Sequence, residues 1–287
     1  MLADILQLLM FGIVFGSILA LGAIGISVIF GILRFAHFAH GDLMTVGAYF
    51  ALLFVAVLDW PVLLALPAAM ALTAVAAVLI DRVLYRHFRR SSPVVLLISS
   101  FGMALVLRSL VQIVAGSENQ VYVSGITLPL VIGELRIKPD HLTIVAGAVV
   151  LVAAFHLFLK KTTMGKAMRA MSDNPDLARI SGIDTDRVVL WTWIIGGCLA
   201  AAAGVFLALD TRLNPQLGWN VLLPMFAAAI VGGIGRPYGA IAGGLVIGIA
   251  TELSTLVFLP AYKPAVAFIF MLIVLVWRPT GIFKGSL

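Results

Sequence analysis

The chain has 287 residues, of which 62% are hydrophobic and only 11% charged, with a formal charge of +6 and a mean hydropathy of +1.13. This composition lies far from the soluble average and marks a polytopic membrane protein. The positive charge does not point to nucleic acid, because no soluble basic face with interleaved aromatic residues exists. The single cysteine, Cys198, sits in an apolar run, which excludes an internal disulfide and leaves it as a small core residue.

A helix needs about 20 apolar residues to cross roughly 30 Å of hydrocarbon, and runs of about that length recur. The predicted spans are 5–33, 43–58, 61–80, 94–114, 140–159, 188–209, 221–235, 238–258 and 264–277. The first run has no basic segment before it and is too long for a signal peptide, so it is expected to be retained, with the protein starting at Met1. Nine spans put the termini on opposite sides. With the C-terminus in the cytoplasm, the inside segments collect Arg34, then Arg82, Arg86, Arg89 and Arg90, then Lys160, Lys161, Lys166, Arg169, Arg179 and Arg187, then Arg236, Arg278 and Lys284. The outside segments hold Arg136, Lys138, Arg212 and Lys263. Fourteen basic residues against four set the orientation by the positive-inside rule.

Two places interrupt the apolar pattern. Residues 34–42 (RFAHFAHGD) are too polar for lipid and precede a short span; residues 230–244 (IVGGIGRPYGAIAGG) form a Gly-rich turn around Arg236 and Pro237. Each is either a tight turn at the membrane surface or a re-entrant segment satisfied by surrounding protein. Gly12 and Gly16, Gly239 and Gly243, and Gly244 and Gly248 have the small-xxx-small spacing of closely packed helices. A dinucleotide site is a poor alternative, since Gly232, Gly233, Gly235 and Gly239 do not fit G-x-G-x-x-G and no βαβ pattern surrounds them.

Residues 160–187 form the one long polar stretch. In SDNPDLARISG, Ser172, Asp173 and Asn174 are candidate N-caps, Pro175 suits the first helical position, Asp176 lies in the first turn and Gly182 is a stop. The pattern predicts a short capped helix between two long ones, with no pocket to tune Asp173, Asp176 and Arg179 for acid–base chemistry. The longest outside segment, from Ala115 to Asp140, is a candidate docking loop for a ligand-binding protein. Arg108 and Glu252 lie inside spans, both roughly 21 Å from the inner side at about 1.5 Å per residue, so they are expected to pair or to face a pathway. His37, His40 and Asp42 are a second pathway cluster, too few and too near the surface for a metal site.

The motifs FAHGDLMTVGAY, MGKAMRAMSDNPDLARISGIDTDRV, GGIGRPYGAIAGGLVIGIATE and YKPAVAFIFMLIVLVWRPTGIFKG carry a resemblance that runs end to end. The chain resembles the LivH/LivM-type permease subunits of bacterial ABC importers for branched-chain amino acids. The resemblance implies an all-α membrane fold of eight or nine transmembrane helices, forming one permease domain over 1–287 with the coupling segment 160–187 inside it. It also implies an ATPase-coupling segment to which Gly165, Arg169, Asp173, Pro175, Asp176, Ala178 and Gly182 belong, with Asp176, Leu177, Ala178 and Gly182 on the E-A-A-x-x-x-G core. The expected partners are a second permease, identical or LivM-like, two ABC ATPase subunits, a periplasmic amino-acid-binding protein and the lipid bilayer of the inner membrane. His37 stands where the family usually has Asn, Arg236 gives the Gly-rich turn a cationic tip, and the family's I-x-L-P is not visible.

No cofactor is expected in this chain, and it is expected not to be an enzyme. There is no G-x-x-x-x-G-K-[ST], and the only Gly-Lys pair, Gly165 and Lys166, is followed by Ala167, so ATP must be bound by partner subunits. Importers of the same type for urea, short amides or small aromatic acids fit the same sequence. An ion-coupled secondary transporter or a non-transporting scaffold has no need of a capped coupling helix.

Overall fold

The computed structural model describes residues 2–89, 91–122 and 128–283; Met1, Arg90 and Lys284 lie outside them. Among the described residues, eight helices are long and apolar enough to cross a membrane, and a ninth apolar helix is shorter. In chain order these are α1 (Leu2–Leu33), α2 (His40–Leu58), α3 (Val62–Ile80) and α5 (Pro93–Ala115). α3 runs on through a π-helical turn, Asp81–Tyr85, into α4 (Arg86–Phe88) as one rod. α6 (Pro139–Lys161) then leads to α7 (Thr163–Asp173) and α8 (Pro175–Ile180), and α9 (Thr185–Asp210), α10 (Leu217–Gly232), α11 (Pro237–Leu253) and α12 (Lys263–Trp277) complete the bundle. The segment before α6 carries a two-stranded hairpin, β1 (Leu130–Ile132) with β2 (Leu135–Ile137), clasped to α1 where Gln7 Nε2 donates to Arg136 O at 2.9 Å and Arg136 N donates to Gln7 Oε1 at 2.9 Å.

α1 is the central post, buried over most of its length. In lipid no hydrophobic force separates helix from solvent, so close backbone approach does the packing. The glycine pairs serve that role: Gly12 and Gly16 of α1 lie against Ile249 and Leu245 of α11, while Gly244 and Gly248 lie against Ala20 and Gly16. Gly239 and Gly243 meet Gly232 and Ala228 of α10 in the same way. Each position would drive a Cβ into a neighbouring backbone.

The two interruptions differ. Residues 233–236 are a turn joining α10 to α11, with Gly233 and Gly235 at positive φ, and the C-terminal residues fold onto it: Ile282 N donates to Val231 O and Phe283 N to Gly232 O. Residues 34–39, by contrast, climb back into the bundle. α2 therefore begins deep, with His40 against Gly25, about 12 Å up α1 from its end at Leu33. α10 also begins inside the bundle, since residues 211–216 descend from the end of α9 with Leu213 fully buried and paired to Gln120. The first turns of α2 and α10 meet at Gly41 and Gly218.

Alanine at Gly218 would collide with the Gly41 carbonyl oxygen, whereas a Cβ at Gly102 meets nothing. Gly218→Ala is expected to destabilise the purified protein by about 1–3 kcal/mol, the usual cost of overpacking, and Gly102→Ala to be silent, as read by thermal melting in detergent.

Candidate functional site

The meeting point of α2 and α10 concentrates the polar groups of the bundle. Neither helix has a side-chain N-cap, Ala39 and Gln216 being the cap residues, so two electropositive helix ends face the same region. Gly218 N finds Thr45 Oγ1 at 3.0 Å, and Phe38 N finds Ser100 Oγ at 3.1 Å. Asp42, in the first turn of α2 and 1% exposed, supplies the charge such an end favours. It is held in a two-pronged bond by Arg108 of α5, Nε to Oδ1 at 3.0 Å and Nη2 to Oδ2 at 3.1 Å. The guanidinium in turn lies 4.4 Å from the ring centre of Trp219, in the first turn of α10. His40, two residues before Asp42, is fully buried with neither ring nitrogen hydrogen-bonded. At the end of the molecule away from the basic segments, an open funnel of about 650 Å³ lined by Asn119, Lys138, Asp210 and Arg212 reaches Leu217 and Asn220 at the start of α10.

A second set of groups connects this cluster to the basic end. The His37 Nε2 and the Tyr85 hydroxyl lie 3.1 Å apart, and Tyr85 stacks on Trp193 with ring centres 5.2 Å apart and planes 10° from parallel. The π turn brings both Asp81 and Tyr85 inward. Arg89 then bridges Asp81 at 2.5 Å and Asp186, at the start of α9, at 3.4 Å. Arg34 caps α1 in the left-handed conformation, φ +57°, and its Nη2 donates to Ser172 O of α7 at 2.5 Å.

Of the three candidate N-caps in the polar stretch, Asn174 caps α8, while Ser172 and Asp173 belong to α7, an 11-residue helix that the sequence reading did not anticipate. Thr162 Oγ1 accepts from Gly165 N at 2.9 Å to start α7, and Asn174 Oδ1 accepts from Leu177 N at 3.0 Å to start α8 behind Pro175. α8 ends where Gly182 N donates to Arg179 O and Ile183 N to Ala178 O, with Gly182 at φ +82°, a left-handed stop suited to glycine. Ala178 points into the protein, whereas Leu177 and Ile180 project at 60% and 83% exposure. The tip thus offers two apolar side chains flanked by Asp176 and Arg179. Gly165 is a corner residue, pressed on Phe158 and Leu159 of α6, and Arg169 and Asp173 lie on the exposed side of α7.

The expected partnership of Arg108 with Glu252 does not form. Arg108 takes Asp42, because α2 starts deep enough to bring that carboxylate level with it. Glu252, near the end of α11, takes Lys263 Nζ at 2.6 Å, because the chain turns back through two short 3₁₀ turns into α12. His37 and His40 lie with ring centres 6.0 Å apart, Asp42 holds Arg108, and Glu252 is in neither pair. Trp219, Tyr85, Trp193 and the Asp81–Arg89–Asp186 links were not singled out from sequence; an ionisable pair in two adjacent spans, Asp42 and Arg108, was the available signal.

Residues 8–275 match the family described as "Branched-chain amino acid transport system / permease component". The chain belongs to this permease family. It is 33% identical to the high-affinity branched-chain amino acid transport system permease protein LivH of Escherichia coli (strain K12), over 96% of this chain and 94% of that one. It is likewise 33% identical to LivH of Salmonella typhimurium, with the same coverage, and 32% identical to BraD of Pseudomonas aeruginosa, over 96% and 95%. These relatives are transport permeases, and membership of an ABC importer permease family implies ATPase partners and a second permease subunit. With eight spanning helices, the permease is a multi-pass membrane protein.

Removing Asp42 alone would strand a guanidinium that is only 15% exposed, at about 3–5 kcal/mol for breaking a buried pair from one side. Asp42→Asn is expected to lower the yield and melting temperature of the permease, and Asp42→Leu combined with Arg108→Met to restore both, measured on detergent-purified protein.

Proposed function

We propose that this chain is the membrane-spanning permease subunit of an ATP-driven importer that carries branched-chain amino acids across the bacterial inner membrane. The observation that carries this reading is the full-length match to the branched-chain amino acid permeases together with a capped, apolar-tipped helix α8 at the basic end. The fourteen-to-four distribution of basic residues supports a cytoplasmic position for that end and for the C-terminus. The chain is then one permease domain over 1–287, with 160–187 as its coupling segment.

Leu177 and Ile180 dock on an ATPase subunit, with Asp176 and Arg179 at the rim of that contact. ATP belongs to the two ATPase partners, since this chain has no phosphate-binding Gly-Lys-Ser/Thr loop, and the permease has no ATPase activity of its own. A periplasmic binding protein hands the amino acid to the outer funnel. From there the substrate meets the first turns of α2 and α10, where helix ends and Arg108 attract its carboxylate and Asp42 its ammonium group. A second permease, a LivM-like chain or a second copy, completes the pathway. Closure of the ATPases moves α7 and α8 as a body, and the Arg34–Ser172 and Arg89–Asp186 links deliver that movement to residues 34–39.

Vesicles holding this chain with its ATPases and binding protein are expected to take up radiolabelled leucine only with ATP on the cytoplasmic side. ATP-dependent complex formation without leucine uptake would keep the importer and move its substrate to urea, amides or aromatic acids. Gly182→Val forces a β-branched residue to positive φ. It is expected to reduce uptake about tenfold or more, equivalent to some 1.4 kcal/mol of coupling, with normal protein level; an unaffected rate would indicate a carrier that needs no coupling helix.

A further inference from the structure

A cavity of about 290 Å³ opens at the basic end and shares no lining residue with the Asp42–Arg108 cluster. Its apolar wall is Val28, Leu159 and Met168, and its polar edge is Arg169, Asp173 and Arg236. Three features make it a ligand site rather than a gap. α11, 17 residues long, starts on this wall, and its cap residue Arg236 makes no side-chain cap, so the first-turn amides have no side-chain acceptor. Ser27 of α1 lines the same space, wholly buried, with its Oγ lacking any partner. A buried hydroxyl without a hydrogen bond is costly unless something fills that role. Finally, the rim carries charge of both signs, two guanidinium groups and the Asp173 carboxylate.

We propose that this cavity binds a free α-amino acid from the cytoplasm and that its occupation slows transport. This rests on the reading of the chain as an amino-acid importer. A carboxylate is matched by Arg236 and the α11 amides, an ammonium group by Asp173, and a small apolar side chain by Val28, Leu159 and Met168. The volume is at the lower edge of small-molecule pockets, which suits a single amino acid and excludes a nucleotide. Asp173 disfavours a phosphate group, free or on a lipid. The cavity walls come from α1, α6, α7 and the α10–α11 turn, so an occupant ties the coupling segment to α1 and holds α7 in one position. Accumulated product would thereby limit its own import.

The test uses proteoliposomes containing the complete complex, with ATP in the lumen as the cytoplasmic side and labelled leucine with binding protein outside. Unlabelled leucine preloaded in the lumen is expected to lower the initial uptake rate at least about fivefold, within the usual range of site-to-site coupling. Arg236→Gln and Ser27→Ala are expected to raise the half-inhibitory luminal leucine about tenfold, the effect of losing one good polar contact, while the rate without luminal leucine stays close to wild type. Uptake without luminal inhibition, inhibition unchanged in both variants, or equal inhibition by luminal inorganic phosphate overturns the proposal and leaves the importer standing. Absence of uptake in the wild type under all luminal conditions overturns the importer reading, and this one with it.

Discussion

The contact between Gly41 and Gly218 is the constraint on which the centre of the protein depends. Because neither residue has a side chain, the first turns of α2 and α10 touch backbone to backbone inside the bundle. Two helix N-termini in one place make a region of positive potential, and Asp42 answers it from the first turn of α2. A buried carboxylate then needs a cation of good geometry, which Arg108 provides with two bonds, and the guanidinium needs shielding, which Trp219 provides from the first turn of α10. Each group is the electrostatic consequence of the one before. A bulky residue at either glycine would undo the sequence of contacts at its origin.

The same reasoning explains why so much irregular backbone is tolerated. Residues 34–39 have no helix to satisfy them, yet side chains and neighbouring turns take over: Ser100 serves Phe38, His37 O accepts from His40 N, and the Arg34 guanidinium occupies the end of α7. Lipid would offer none of these partners, so the segment is possible only because α3, α5 and α9 enclose it. The enclosure is largely aromatic, Tyr85 and Trp193 being stacked and fully buried.

What could be read from the sequence was whatever is encoded locally. Asn174, Pro175 and Gly182 specify the cap, first turn and stop of α8 within four residues of where they act, so that helix was legible almost residue by residue, whereas α7 and its Thr162 cap were not anticipated. Long uncharged runs likewise gave the helices, and the glycine spacings marked the close-packing faces, whose pairing as α1–α11 and α10–α11 only the structure shows. Depth was not local. Counting residues from a span's end assigned Arg108 and Glu252 the same height, but partner choice depended on where α2 begins and on how the chain returns after α11. Neither follows from apolar run length: α2 takes in His40, Gly41 and Asp42, which look like a surface turn, and α3 continues past Ile80 into charged residues because its π turn carries Asp81 inward. Trp219 and Trp193 sit in stretches where an aromatic residue is unremarkable until its neighbours are known.

In the importer reading, this geometry also decides how force from the ATPases can travel. α8 is only six residues long and cannot act as a lever by itself. It is fused through Asn174 to α7, and α7 is fixed to the end of α1 by Arg34. Arg34 sits in a left-handed conformation in which no helix can continue, so a displacement of α7 acts on the non-helical residues 34–39 instead of being absorbed along α1. Those residues lead directly to His37, His40 and Asp42. On the other flank, Asp186 at the first turn of α9 reaches Arg89 and, through it, Asp81 on the π turn that positions Tyr85 against His37. Two separate connections from the coupling segment and its exit thus converge on one non-helical stretch. A non-helical stretch between rigid helices is the kind of element that can shift between two packed arrangements, and in the importer reading the loop before α2 is that element.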